Sequence, residues 1–186
     1  MSVHTLTSQF MAIADSPNPM TAARDLLLEM RSDIGAIEQA LDYLPGVGGN
    51  ARQAFYRTPS LSMLKVCFPD GRRTPPHNHG TWAAILVLSG KEKNTLYKRN
   101  DSGELVRVGE KTLERGSVLP MPADVIHVVE CLTDEPAIGL HVYGADVLGV
   151  DRQMWDPDTL AEQALDWDHY EELAQRASKA ERAPLT

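Results

Sequence analysis

Cysteine is scarce. Cys67 and Cys131 are the only two in 186 residues; both lie in strand-like apolar runs, which argues against a disulfide framework and for reduced, buried thiols. Positive charge is also short: Lys and Arg number 18 against 26 Asp and Glu, a formal net charge of −8 with a pI near 5.2. No basic face broad enough for nucleic acid or anionic lipid is expected, so small-molecule chemistry is the better expectation. No apolar run approaches the ~18 residues of a membrane span, and the opening Met-Ser-Val-His-Thr-Leu-Thr lacks the basic and apolar blocks of a signal peptide. No membrane association is expected, and the cytoplasm is the expected compartment. No internal repeat at a solenoid period is present. The length suits a single domain, 1–186, with an ample core.

What is present begins with a stripe. Over 21–44, Ala23, Leu27, Met30, Ile34, Ile37, Leu41 and Leu44 recur at alternating steps of four and three, one face of an amphipathic helix or of two helices meeting near Gly35. The stripe stops at Pro45 and a glycine-rich loop, 46–49, which favours a helix laid on a larger body over a coiled coil. From residue 54 to 146 the pattern is of short strands: Leu105 to Leu113, Ser117 to Pro120, Val125 to Leu132 and Ala137 to Tyr143, with a hairpin turn at Asn100-Asp101-Ser102-Gly103. Asp156-Pro157 reads as a helix start, and 156–179 as a C-terminal helix.

The chemistry concentrates in 71–90. His77 and His79 stand one residue apart at the head of a β-branched and aliphatic run, and on a strand both would point to one face. Two imidazoles can grip an ion but need help. A candidate third ligand, His127, lies in a second stretch from Gly116 to Cys131 that also carries Pro122 and Asp124. Three imidazoles without a carboxylate leave a divalent charge uncompensated, which favours an anionic ligand and ionises a bound thiol.

Together the two stretches resemble the paired motifs of the cupin superfamily. Gly71, His77, His79 and Gly90 match the first motif, whose glutamate position is Ala83; Gly116, Pro122 and His127 match the second, where Asp124 and Cys131 replace a usual Gly and Asn. The resemblance implies a mainly β chain: a single cupin β-barrel (double-stranded β-helix) over 54–146, with N- and C-terminal helices packed outside.

A further run, Ala137 to Gly144, includes His141 and Tyr143 on one strand face. With the missing glutamate it resembles the thiol dioxygenases, the cysteine and mercaptopropionate dioxygenase family. That resemblance implies iron(II) on His77, His79 and His127, a tyrosine hydroxyl beside the metal at Tyr143, and a histidine behind it at His141. Nickel, manganese and zinc are the other ions such a site takes. The implied reaction adds both atoms of O2 to a small thiol and yields a sulfinic acid. Two departures stand out. Ala83 replaces the cysteine that animal cysteine dioxygenases crosslink to their tyrosine, and Gly139 replaces the serine of the family's Ser-His-Tyr relay. Arg57 and Arg152 are the candidate carboxylate-binding cations, because a guanidinium offers a two-pronged donor; Arg72 and Arg73, in a turn, are expected to be solvated. The competing expectations are a three-histidine dioxygenase of a diketone-type substrate and a non-catalytic cupin that senses or binds a ligand through its metal.

Overall fold

The computed structural model describes residues 1–44 and 52–181, the side chains of 180 and 181 excepted. Pro45 and the glycine-rich loop 46–49 lie outside the described residues.

Three helices come first: α1 (Val3–Ala14), α2 (Pro19–Met30) and, after a 3-10 turn over Arg31–Asp33, α3 (Ile34–Ala40). Asn18 and Pro19 open α2 with proline in its first turn, where its missing N–H costs nothing. The break falls just before Gly35 because the Asp33 side chain accepts from Ala36 N and starts a new helix. The stripe is buried as its spacing requires, from Ala23 through Leu27, Met30, Ile34 and Ile37 to Leu41. Helix α1 was not legible, yet its Leu6 and Phe10 are fully buried beside that stripe.

The strands are β1 (Arg52–Thr58), β2 (Leu61–Phe68), β3 (Ala83–Ser89), β4 (Lys91–Arg99), β5 (Leu105–Glu114), β6 (Val118–Met121), β7 (Ile126–Cys131), β8 (Ala137–Tyr143), β9 (Gln153–Trp155) and β10 (Glu162–Ala164). One antiparallel sheet runs β1-β2-β8-β3-β6, and the other runs β5-β4-β7. Segment 73–79 continues the second sheet: it bridges β7 through Arg73 and His77 on one side and β9 through His77 on the other. This strand order makes the barrel a double-stranded β-helix.

Alternation on β3 explains why the segment reads as unbroken apolar sequence. Ala84, Leu86 and Leu88 face the three helices, while Ala83, Ile85 and Val87 face the barrel interior with Leu64, Val66, Val129 and Tyr143. The sheet is thus buried on both sides, and helix packing substitutes for solvent on its outer face. Gly90 and Gly116 hold left-handed φ values of 70° and 86°. A Cβ on Gly90 would lie 2.6 Å from the Pro136 carbonyl oxygen, so no other residue fits that corner.

Two expectations need correction. His77 and His79 do not sit on a regular strand, since 73–82 is irregular and β3 begins only at Ala83. Nor does a helix begin at Asp156. The Asp156 carboxylate accepts from the backbone N–H of Asp158 and Thr159 at 2.9 Å each, closing the turn of a β9–β10 hairpin. Helix α4 starts at Trp167 and runs to Glu181, with Asp166 accepting from His169 N as its cap. Asp-Pro opens turns and helices by the same hydrogen bonds, and here the turn wins. No helix among the described residues is long and apolar enough to cross a membrane.

Candidate metal centre

His77 is locked to His127 by a reciprocal pair of backbone hydrogen bonds, each N–H to the other's carbonyl at 3.0 Å. Asn78 N bonds the Gln153 carbonyl and Trp155 N bonds that of Pro76, so the histidine segment is held from both flanks. That clamp does the work expected of a strand. It brings His77, His79 and His127 into one cluster whose ligand nitrogens all lie within 4.8 Å of one another.

The imidazoles are 7%, 3% and 1% exposed, and burial holds all three well below the ordinary histidine pKa, His127 at about 3. Neutral imidazole is the form that ligates. Two ring orientations are set from behind. His77 Nδ1–H donates to the Pro75 carbonyl at 3.0 Å, and His127 Nδ1–H donates to Asn94 Oδ1 at 2.8 Å. Both arrangements leave Nε2 as a bare lone pair. His127 Nε2 and His79 Nε2 stand 3.2 Å apart, so a proton or a cation must lie between them. Two nitrogens bound at ~2.1 Å to one ion would sit about 3.0–3.4 Å apart for octahedral to tetrahedral angles. The donor set fits a divalent metal and contains no carboxylate.

A cavity of about 30 Å3 adjoins the cluster. Its walls include the three histidines, His141, Tyr143, Arg52, Arg152 and Trp167. His141 and Tyr143 share a face of β8 and hydrogen-bond through Nδ1 and the hydroxyl at 2.9 Å. The Tyr143 ring meets that of His79 edge-on at 5.2 Å. Burial keeps His141 neutral, at about 3, and raises the Tyr143 hydroxyl above its ordinary value. His141 Nε2 has no partner among the described residues. It lies 2.8 Å from where a Cβ on Gly139 would be, so the glycine gives the ring its room. An orphan lone pair costs less than an orphan N–H. The favoured tautomer therefore carries its proton on Nδ1, donates to the Tyr143 oxygen, and leaves the hydroxyl proton to face the cavity.

The two candidate arginines separate. Arg152 lines the cavity, is 6% exposed, and stacks on Trp167 with its guanidinium carbon 4.7 Å from the ring centroid. Its hydrogen bond to the Asn78 carbonyl is long, 3.4 Å, and it has no carboxylate partner among the described residues. Desolvation brings it down to about 10, so it stays charged at neutral pH. Arg57 is not in the cavity. Segment 145–148 is tied over β2 by Ser62 Oγ, which donates to the Ala145 carbonyl and accepts from Val147 N. Val147 and Leu148 then line the cavity, while Asp146 takes Arg57 in a two-pronged pair at 2.7 and 2.9 Å.

Sequence reasoning missed Arg52, Trp167 and Tyr170. Arg52 reaches the cavity from β1 and shares Glu171 of α4 with Arg72, so Arg72, expected to be solvated, has a side chain only 13% exposed. Arg73 also pairs, with Glu130 at 3.3 Å. Tyr170 is 1% exposed and sets its ring edge-on to His77 at 5.3 Å. The signal was the spacing of Tyr170, Leu173, Ala174 and Ala177, a buried helical face that must cover something.

No family model matches the chain. Among solved structures it is similar to the cupin domain of Schizosaccharomyces pombe Cnp3, at 15% identity and a TM-score of 0.43, over 52% of this chain and 65% of that one. An RmlC-like cupin family protein from Methanocaldococcus jannaschii matches at 12% identity and 0.44, over 56% and 89%. A hydroquinone 1,2-dioxygenase from Sphingomonas sp. matches at 15% and 0.42, over 54% and 70%. Strand order and register define the fold, and the site it builds is a buried three-histidine group able to hold a metal ion.

Proposed function

We propose that the chain is a non-haem iron(II) dioxygenase of a small thiol that carries a carboxylate. The reaction is RSH + O2 → RSO2H: the sulfur is oxidised, both oxygen atoms end on it, and the thiol proton passes to the sulfinic acid. Iron(II), when bound to His77, His79 and His127, supplies the redox-active centre at which thiol and O2 meet.

The observation that carries this reading is Arg152, a buried cation without a carboxylate partner among the described residues, beside a metal site without a carboxylate ligand. A buried unpaired guanidinium is costly, and a carboxylate of the substrate would complete it in two-pronged fashion. The thiolate would meet the charge that three neutral imidazoles leave open. Tyr143 contributes a hydroxyl proton at the cavity, held in place by His141 Nδ1. The enclosed cavity beside the histidines suits a small substrate.

Oxygen uptake by the iron-loaded protein tests the reading with cysteine, mercaptopropionate, cysteamine and a diketone. Uptake with a carboxylate-bearing thiol and a sulfinate product are expected. Uptake with the diketone alone would assign the site to carbon–carbon cleavage instead. Stable metal binding with no uptake on any of them would leave a ligand-sensing protein.

A further inference from the structure

The described chain buries one acidic residue to the level of its core, Glu92, at 2% exposure. Across the ladders it faces Leu113 and Cys131, neither of which compensates a carboxyl group. Its hydrogen bond is to Asn94, two residues along the same face of β4, whose Nδ2 donates to Glu92 Oε1 at 2.8 Å. That bond decides which end of the amide faces the other way. Asn94 is 0% exposed, and its Oδ1 accepts from His127 Nδ1 at 2.8 Å.

We infer that Glu92 and Asn94 are positioning residues that hold His127 in the Nδ1–H tautomer, with its Nε2 lone pair free for the ion. The inference rests on the metal reading of the three histidines. Reversing the tautomer would set the Nδ1 lone pair against the Asn94 oxygen. Reversing the amide would set its NH2 against His127 Nδ1–H and its oxygen against Glu92. Each link therefore enforces the next, and the chain ends on the acid nearest the ion by hydrogen bonds. A carboxyl placed there strengthens His127 as a donor, which a centre lacking a carboxylate ligand needs. A purely structural pair would be better served by two apolar side chains in this dry interior.

Two readouts test it. In metal-free wild-type protein, nitrogen-15 spectra should show His127 protonated on Nδ1, whereas free imidazole favours Nε2–H; finding Nε2–H overturns the inference. Titration with Co(II) should show Asn94→Leu weakened roughly 10- to 100-fold. Glu92→Gln, which keeps an acceptor for Asn94 Nδ2, should bind Co(II) nearly as tightly as wild type. Equal Co(II) affinity in a folded Asn94→Leu sinks the inference and leaves the metal reading intact. If that variant does not fold, the wild-type tautomer decides. Wild-type protein that takes no Co(II) sinks both. Failure to oxidise thiols touches only the proposed reaction.

Discussion

Ala83 and Tyr143 face each other directly across the β3–β8 ladder. The residue at the glutamate position of the cupin-like motif is therefore the cross-strand neighbour of the tyrosine at the site, with Cβ atoms in such pairs about 4.5–5.5 Å apart. The wild-type chain has no sulfur there. Its nearest-in-motif thiol, Cys131, points to the Thr133 and Glu135 carbonyls. An intact mass without a two-hydrogen deficit is expected for wild type. Ala83→Cys, loaded with iron and exposed to oxygen, should acquire that deficit, mapped by peptide digestion to residues 83 and 143; its appearance in wild type would refute the assignment.

Arg152 sets a function against stability. Arg152→Met removes a poorly compensated buried cation and should raise the unfolding free energy, read from urea denaturation, by about 1–2 kcal/mol. The same variant should lose about 1.5–3 kcal/mol of transition-state binding for a carboxylate-bearing thiol, near 10- to 150-fold in kcat/KM. Cysteamine, without a carboxylate, should be nearly indifferent. Equal losses on both thiols would return Arg152 to a structural part.

Tyr143→Phe keeps the ring against His79 and removes only the hydroxyl. Turnover should fall by about 10^2-fold, the lower end of what one positioned proton donor contributes, with iron content unchanged. Loss of iron instead would mean that the tyrosine supports the ligands rather than the chemistry.

Glu92 gives stability an unusual pH dependence. Burial raises its carboxyl from an ordinary 4.5 to about 7. Between those values the folded protein holds a proton that the unfolded chain has released, so stability falls as pH climbs through the window and levels off above it. The contribution is on the order of 3 kcal/mol. Denaturation at pH 5 and pH 8 should show wild type losing ground that Glu92→Gln does not; parallel profiles would place the carboxyl's titration elsewhere.

Much of the barrel could be read in advance because its strands alternate or run apolar between strong turns, and because β8 carries both faces of its pattern without a bulge. The three histidines were legible by type and spacing, although the strand meant to align His77 with His79 is absent and backbone bonds to His127 and Gln153 replace it. What escaped was any residue whose place depends on a distant element. Arg57 fell outside the cavity only because 145–148 folds over Ser62, which local periodicity does not announce. Arg52 and Tyr170 come together through Glu171, 119 residues from the first of them.

The helix that covers the centre comes late in the chain. Helix α4 is fastened by Glu171 to Arg52 and Arg72, by Ser178 Oγ to Arg73 N at 2.8 Å, and by Arg176 to Asp156 and Asp158. All three histidines and every barrel strand precede it. The wall that Tyr170 sets edge-on against His77 is therefore the last part of the site to be synthesised.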